Sequence, residues 1–389
     1  MDGLRRFLEP PRLRTLASSQ ADDRRATWLE LFFDLVFVAA VGQLANGLAA
    51  EPTAGRFFEF LGLFGPVWWA WMGFTFYANR FDTDDLVYRL LTLLAMFGVA
   101  VLATTVPSTF DGATRGFPLA YVGVRLVLVL LYARASRHVA EARALATTFL
   151  VAFGVAVLIW TASLAFSRPW NYVLWGCALA IELVTPIPSW RLLRAAPVHP
   201  RHIPERFGLL TLIVLGESVL AVVLGVSRVS WNAGSTTAAA AGFLTAAALW
   251  WIYFDFVGEE ALTARGIFGG LTYTYVHYFI VVGLAALGAG VKIGILAAGG
   301  DDHYRGTAWV ACAGLAMTMI GIAVIQLVTP PVLFDADVWL RLVTAAAALL
   351  LVPFDLSPLV VLAVLASILL AQLGYELARH EAHVHHAPV

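Results

Sequence analysis

The chain predicts an all-α fold, a polytopic helical membrane protein of about twelve transmembrane helices in a six-plus-six parallel internal repeat with both termini cytoplasmic. Three observations carry this expectation. Hydrophobic residues make up 60% of the 389 and charged residues only 13%, against roughly 25% charged in soluble domains. Apolar runs long enough to cross the hydrocarbon of a bilayer recur along nearly the whole length. Two of these runs also resemble each other. Residues 30–43 (ELFFDLVFVAAVGQ) and 205–218 (ERFGLLTLIVLGES) each open on a Glu and carry a Gly followed by a polar residue further on.

Taken in order, the apolar spans fall at 28–50, 57–80, 87–106, 117–134, 145–166, 171–189, 207–228, 236–257, 273–297, 306–328, 338–353 and 358–376. Residues 1–27 are polar and Arg-rich without an apolar core, so they read as a cytoplasmic tail and not a signal peptide. The first six spans form one half, 28–189, and the second six another, 205–376. Between them lies a Pro- and Arg-rich linker, 190–204, and after them a His-rich tail, 377–389. Arg residues gather in the first tail, in the loop of Arg134, Arg137 and Arg143, and in the linker with Arg191, Arg194 and Arg201. With twelve spans these loops share one side, which the positive-inside rule makes cytoplasmic. Trp68, Trp69 and Trp71 in the second span correspond in position to Trp250 and Trp251 in the eighth.

Ionisable side chains inside such spans are expensive unless they face a bundle interior or a wet cavity. Glu30 and Asp34 stand four residues apart on one helical face. With Glu205, Arg206 and His277 they form an inner-leaflet set, while Arg125, Glu182 and Glu217 fall near mid-bilayer. Helix-end chemistry accounts for an acid such as Glu30 in a first turn, and an ion pair accounts for Arg125 with Glu182 or Glu217. One Arg cannot neutralise two carboxylates, so one of the two acids needs another partner, a proton or a cation. Glu217, with Ser218 beside it, sits mid-helix and has no capping role. Gly42 and Gly216 are expected to allow close helix approach or bending near this site.

A second constellation is acidic. Span two ends in Asn79, Arg80, Asp82, Asp84 and Asp85, and span eight ends in Asp255 and Glu259. Hard oxygen ligands one turn apart suit Mg²⁺ and, through it, a diphosphate, whereas solvated helix ends explain the same acids without any ligand. His380, His383, His385 and His386 in the tail, and His199 and His202 in the linker, are weaker metal candidates. Cys177 and Cys312 lie inside apolar runs and predict neither a disulfide framework nor a zinc site. No phosphate-binding Gly loop or common hydrolase motif is present. The net charge of −1 singles out no partner.

These residues resemble the bacterial low temperature requirement A (LtrA) family. The matching stretches are 30–43, 77–91 (YANRFDTDDLVYRLL), 199–218, 250–255 (WWIYFD) and the region of His277 to Gly290. The resemblance implies a multi-pass membrane protein linked by name to growth in the cold. It points to Glu30, Asp34, Asn79, Arg80, Asp82, Asp84, Asp85, Glu205, Arg206, Glu217, Ser218, Asp255 and His277 as the characteristic polar residues. The chain departs from the pattern at Lys292, its single Lys, where the resemblance implies an acid. Any role for an acid at that depth is therefore left without its residue here.

Three functions compete. The first is a secondary transporter or ion-coupled permease in the bacterial cell membrane, moving a small solute or ion with intramembrane carboxylates as the proton or cation site. The second is a Mg²⁺-dependent intramembrane enzyme acting on a lipid or isoprenoid diphosphate. The third is a non-catalytic sensor or scaffold for cold adaptation. The bilayer is the expected partner and nucleic acid is not; no cofactor is required outside the enzyme reading.

Overall fold

Runs of aliphatic and aromatic residues broken only by short polar turns give a chain that is helical almost throughout. The computed structural model describes residues 10–13, 26–82, 84–198, 202–256, 266–300, 307–328 and 336–386. The described helices are α1 (Trp28–Ala50), α2 (Ala54–Arg80), α3 (Leu86–Phe110), α4 (Gly116–His138), α5 (Arg143–Ala162), α6 (Trp170–Val184) and the short α7 (Trp190–Ala195). They continue as α8 (His202–Val226), α9 (Ala233–Phe256), α10 (Gly266–Ala298), α11 (Trp309–Val328), α12 (Ala336–Leu350) and α13 (Pro358–His386).

Among the described residues ten helices are long and apolar enough to cross a membrane. The two expected spans outside that set are α2 and α6. Helix α2 has the length, 27 residues, but is built on Trp, Tyr and Gly more than on aliphatic side chains. Helix α6 has 15 residues, which rise about 22 Å and fall short of a hydrocarbon core of about 30 Å.

Local chemistry sets the helix starts. Thr27 and Glu30 form a reciprocal capping box: Thr27 Oγ1 accepts from the Glu30 amide, and the Thr27 amide donates to Glu30 Oε2 at 2.8 Å. Asn232 and Ser235 do the same for α9, with amide-to-side-chain distances of 2.8 and 3.0 Å. Asp85 caps α3 by accepting from the Val87 amide at 3.1 Å.

The chain divides into two compact units, Met1–Leu44 with Leu61–Leu209, and Ala45–Phe60 with Leu210–Val389. In the first, α3, α4, α5 and α6 pack in sequence around buried Tyr77, Tyr121, Tyr132 and Trp160. A feature the sequence does not announce is a two-residue antiparallel ladder, β1 (Arg12–Leu13) with β2 (Phe81–Asp82), which pairs Arg12 with Asp82 and Leu13 with Phe81.

In the second unit α10 is the central helix, 94% buried over its most apolar window and packed on α9, α11 and α13. Close approach is carried by glycine. A Cβ on Gly290 would sit 2.6 Å from the Ala311 backbone, and one on Gly314 would sit 2.7 Å from the Gly283 carbonyl oxygen. The expectation that Gly216 serves close approach is corrected here, because a Cβ there meets nothing within 4 Å. The Trp correspondence does not extend to burial either: Trp68 and Trp69 are buried, Trp250 and Trp251 exposed.

Candidate functional site

The first unit gathers its ionisable residues where α1, α2 and α8 meet. Asp34 is fully buried, and its Oδ1 accepts from Trp71 Nε1 at 2.7 Å and from Arg206 Nη2. Arg206, 2% exposed, also reaches Thr75 Oγ1 at 3.5 Å, and its Nε and Nη1 have no hydrogen-bond partner among the described residues. One turn nearer the helix starts, His202 lies between two acids, with Nδ1 at 3.2 Å from Glu205 Oε2 and Nε2 at 3.4 Å from Glu30 Oε1. Glu205 Oε1 accepts from the Ala26 amide at 3.1 Å, so it ties the start of α8 to the approach to α1. Of the expected inner set, Glu30, Asp34, Glu205 and Arg206 are brought together here, with His202 and Trp71 added, whereas His277 belongs to the second unit.

The deeper pair in this unit is Arg125 with Glu182, both fully buried, at 3.0 Å. Tyr121 donates a second hydrogen bond to Glu182 at 2.9 Å, and the guanidinium lies 4.3 Å from the centre of the Phe153 ring. Of the two ion-pair partners expected for Arg125, Glu182 is the one it meets.

The acidic constellation is dispersed into helix ends. Asp85 belongs to the start of α3, not to the end of α2, and receives both Arg134 nitrogens, at 2.8 and 2.9 Å. Asp84 holds exposed Arg89 at 2.8 Å. Arg80 donates to the Ala196 carbonyl at 3.2 Å and lies over the Phe76 ring, and Asn79 is buried beside it in sequence. Asp255 is exposed at the end of α9. The side chain of Asp82, Glu259, His199 and the side chains of the tail histidines lie outside the described residues. Among the described residues no group of three or more His, Cys, Asp or Glu side chains is arranged to hold a metal ion.

In the second unit Glu217 lines a small cavity with Asn46, Ser218, Gly288 and Lys292. Its accessible space is about 10 Å³, enough for about one water. Glu217 and Lys292 are each 8% exposed. Lys292 Nζ donates to Asn46 Oδ1, whereas among the described residues Glu217 accepts no hydrogen bond and interacts with Lys292 electrostatically. Ser218 Oγ lies 3.4 Å from the carbonyl oxygens of Val214 and Leu284. His277, on the same α10 as Lys292, is fully buried; its Nδ1 donates to the Tyr273 carbonyl at 2.7 Å, and its Nε2 stands 2.9 Å from the Tyr253 hydroxyl.

The match to known proteins covers most of the chain. The family model described as bacterial low temperature requirement A protein (LtrA) matches residues 25–373. The chain belongs to the LtrA family. It is a multi-pass membrane protein of this bacterial family, with apolar helices that sit in a lipid bilayer. Among curated relatives it is 29% identical over 248 residues to Uncharacterized protein RA0937 of Rhizobium meliloti (strain 1021). That match covers 61% of this chain and 60% of the relative.

This LtrA-family chain also holds polar residues that sequence reading passed over. Asn46 is one, the hydrogen-bond partner of Lys292 from α1. A second set forms a polar seam between α12 and α13, with Asp337 against Arg379 at 2.8 Å, Arg341 against Glu376 at 3.3 Å and Thr344 against Gln372 at 2.6 Å. The signal for it was available. Asp337, Arg341 and Thr344 recur at i, i+4 and i+7, as do Gln372, Glu376 and Arg379, which is one face of each helix.

Proposed function

We propose that this LtrA-family protein is a secondary transporter or ion-coupled permease of the bacterial plasma membrane, with Glu217 as its proton or cation site. The observation that carries the reading is Glu217 itself, a buried mid-helix carboxylate lining a small cavity without a hydrogen bond among the described residues and with Lys292 as counter-charge. A carboxylate kept in a membrane interior in this state needs a proton, a cation or a neighbouring positive charge to remain there. The cavity admits a water or a bare ion and excludes a solute, which suits a coupling site. Asp34 with Arg206 and Arg125 with Glu182 are already internally compensated, so they suit a structural role.

The reading keeps the wider architecture as part of the proposal. Helix α2 crosses with the other ten, and the 171–189 segment, whose helix α6 is too short for a bilayer of ordinary thickness, crosses where the bilayer thins to meet it, which makes twelve spans; 28–189 and 205–376 are parallel repeats about the 190–204 linker. The Arg-rich and His-rich tails, 1–27 and 377–389, lie on the cytoplasmic side.

The deciding experiment is reconstitution in proteoliposomes under an imposed pH or Na⁺ gradient with a broad panel of solutes. Wild-type protein is expected to give gradient-coupled flux, and Glu217→Gln, isosteric and uncharged, to reduce it to background while keeping the wild-type size-exclusion profile. Full flux in the variant, or none in the wild type across the panel, sinks the reading.

A further inference from the structure

A groove in the first unit has no part in the charge clusters described above. It has a volume of about 670 Å³ and runs along one face of α5, past Ala144, Thr148, Val151 and Ala152, to the turn of Thr185, Pro188 and Ser189. That volume lies within the roughly 300–1,000 Å³ of ligand clefts. Of its four hydroxyl-bearing side chains, Thr147 is exposed and the other three are engaged. The hydroxyls of Thr148, Thr185 and Ser189 donate to backbone carbonyls of Ala144, Ile181 and Thr185 at 2.9, 2.6 and 2.7 Å. Apart from Thr147, the walls therefore present methyl and methylene groups and leave those three hydroxyls no free donor.

One end of this groove is basic, and the chain makes it so. Arg143 immediately precedes Ala144, and Trp190, Arg191 and Arg194 of α7 follow Ser189 directly. Helix α7 packs on α5, so the two groups share one end of the groove. Arg191 and Arg194 both stack on the Trp190 ring, at 5.1 and 4.7 Å from its centre, which holds two guanidinium groups at one indole. Arg143 is exposed and donates through Nε to the Ser136 carbonyl at 3.1 Å, which leaves its two terminal nitrogens outward. None of these three Arg residues has a carboxylate partner among the described residues, and the single acid in the adjoining turn, exposed Glu141, pairs with none of them. An indole beside paired guanidinium groups at the mouth of an apolar groove is the pattern of a membrane-interface anchor.

From this we infer that the groove binds an anionic phospholipid. An acyl chain lies against Ala144, Val151 and Ala152, and the phosphate is held by Arg143, Arg191 and Arg194. The inference is independent of the transport reading, because none of these residues touches the Glu217 cavity.

The test uses the full chain, delipidated in a mild detergent, with phosphatidylglycerol, phosphatidylcholine or inorganic phosphate added, and retained lipid counted by native mass spectrometry. Phosphatidylglycerol is expected to be retained in preference to phosphatidylcholine and not to be displaced by phosphate. Each Arg near an anionic lipid surface contributes enough that removing three weakens binding by about a hundredfold. The Arg143→Gln/Arg191→Gln/Arg194→Gln variant is therefore expected to lose the lipid. Ala152→Trp fills the groove while leaving every Arg in place, and it too is expected to lose phosphatidylglycerol. Equal retention of the two lipids overturns the inference, as does displacement by phosphate or full retention in Ala152→Trp. The last of these decides the matter even if the triple variant fails to fold.

Discussion

Replacing Arg206 with Met is expected to destabilise the protein by about 3–5 kcal/mol, the usual effect of removing one partner from a buried ion pair. Asp34, fully buried, would keep its hydrogen bond from Trp71 but lose its positive neighbour, and its Oδ2 already has no hydrogen bond among the described residues. Removing both charges is a different matter. A well-packed apolar pair of similar volume is often as stable as the buried ion pair it replaces, so Asp34→Leu/Arg206→Met is expected to regain most of the loss. Thermal unfolding in detergent of both single variants and the double variant forms the cycle. A single variant within about 0.5 kcal/mol of wild type, the range of neutral surface changes, would show that the two side chains do not depend on each other. A double variant that regains stability and keeps flux would assign the pair to architecture and leave Glu217 as the functional carboxylate.

What was legible in the sequence, and what was not, follows from the range of each interaction. Helix existence was legible because hydrocarbon thickness imposes a length and an apolar composition that can be counted along the chain. That an acid at Glu30 serves the helix start was legible too, since Thr27 and Glu30 hold capping-box spacing. The partner of Asp34 was not: Arg206 is 172 residues away, and no local pattern selects it over any other Arg. Lys292 stood out as the chain's single Lys, yet its hydrogen bond to Asn46, 246 residues earlier, is a product of packing. The helix to which the acids after α2 belong was hidden for a related reason. Asp85 follows Asp82 closely in sequence but belongs to the next helix, where capping and Arg134 engage it. Close approach was expected at Gly216; it is made instead on α10 and α11, where backbone meets backbone.

Gly290→Ala is the second change with a large expected effect, although it adds one methyl group. The new Cβ would lie 2.6 Å from the Ala311 backbone, and no rotamer relieves a clash between Cβ and backbone, so α10 and α11 have to move apart. Overpacking a tight core costs about 1–3 kcal/mol, and the upper end is expected here because two helices shift instead of one side chain. The displacement would also reach the cavity, since Lys292 is two residues further along α10 and Gly288, which lines the cavity, two residues back. Gly216→Ala is the matched control: it adds the same methyl next to Glu217 but into open space, where exchanging a mid-helix Gly for Ala gains about 0.5–1 kcal/mol. Thermal unfolding of the two variants is therefore expected to move in opposite directions, with coupled flux lost in Gly290→Ala and kept in Gly216→Ala. If Gly290→Ala unfolds at the wild-type temperature, the close packing of α10 on α11 does not hold the second unit together, and the geometry of Lys292 around Glu217 loses its structural support.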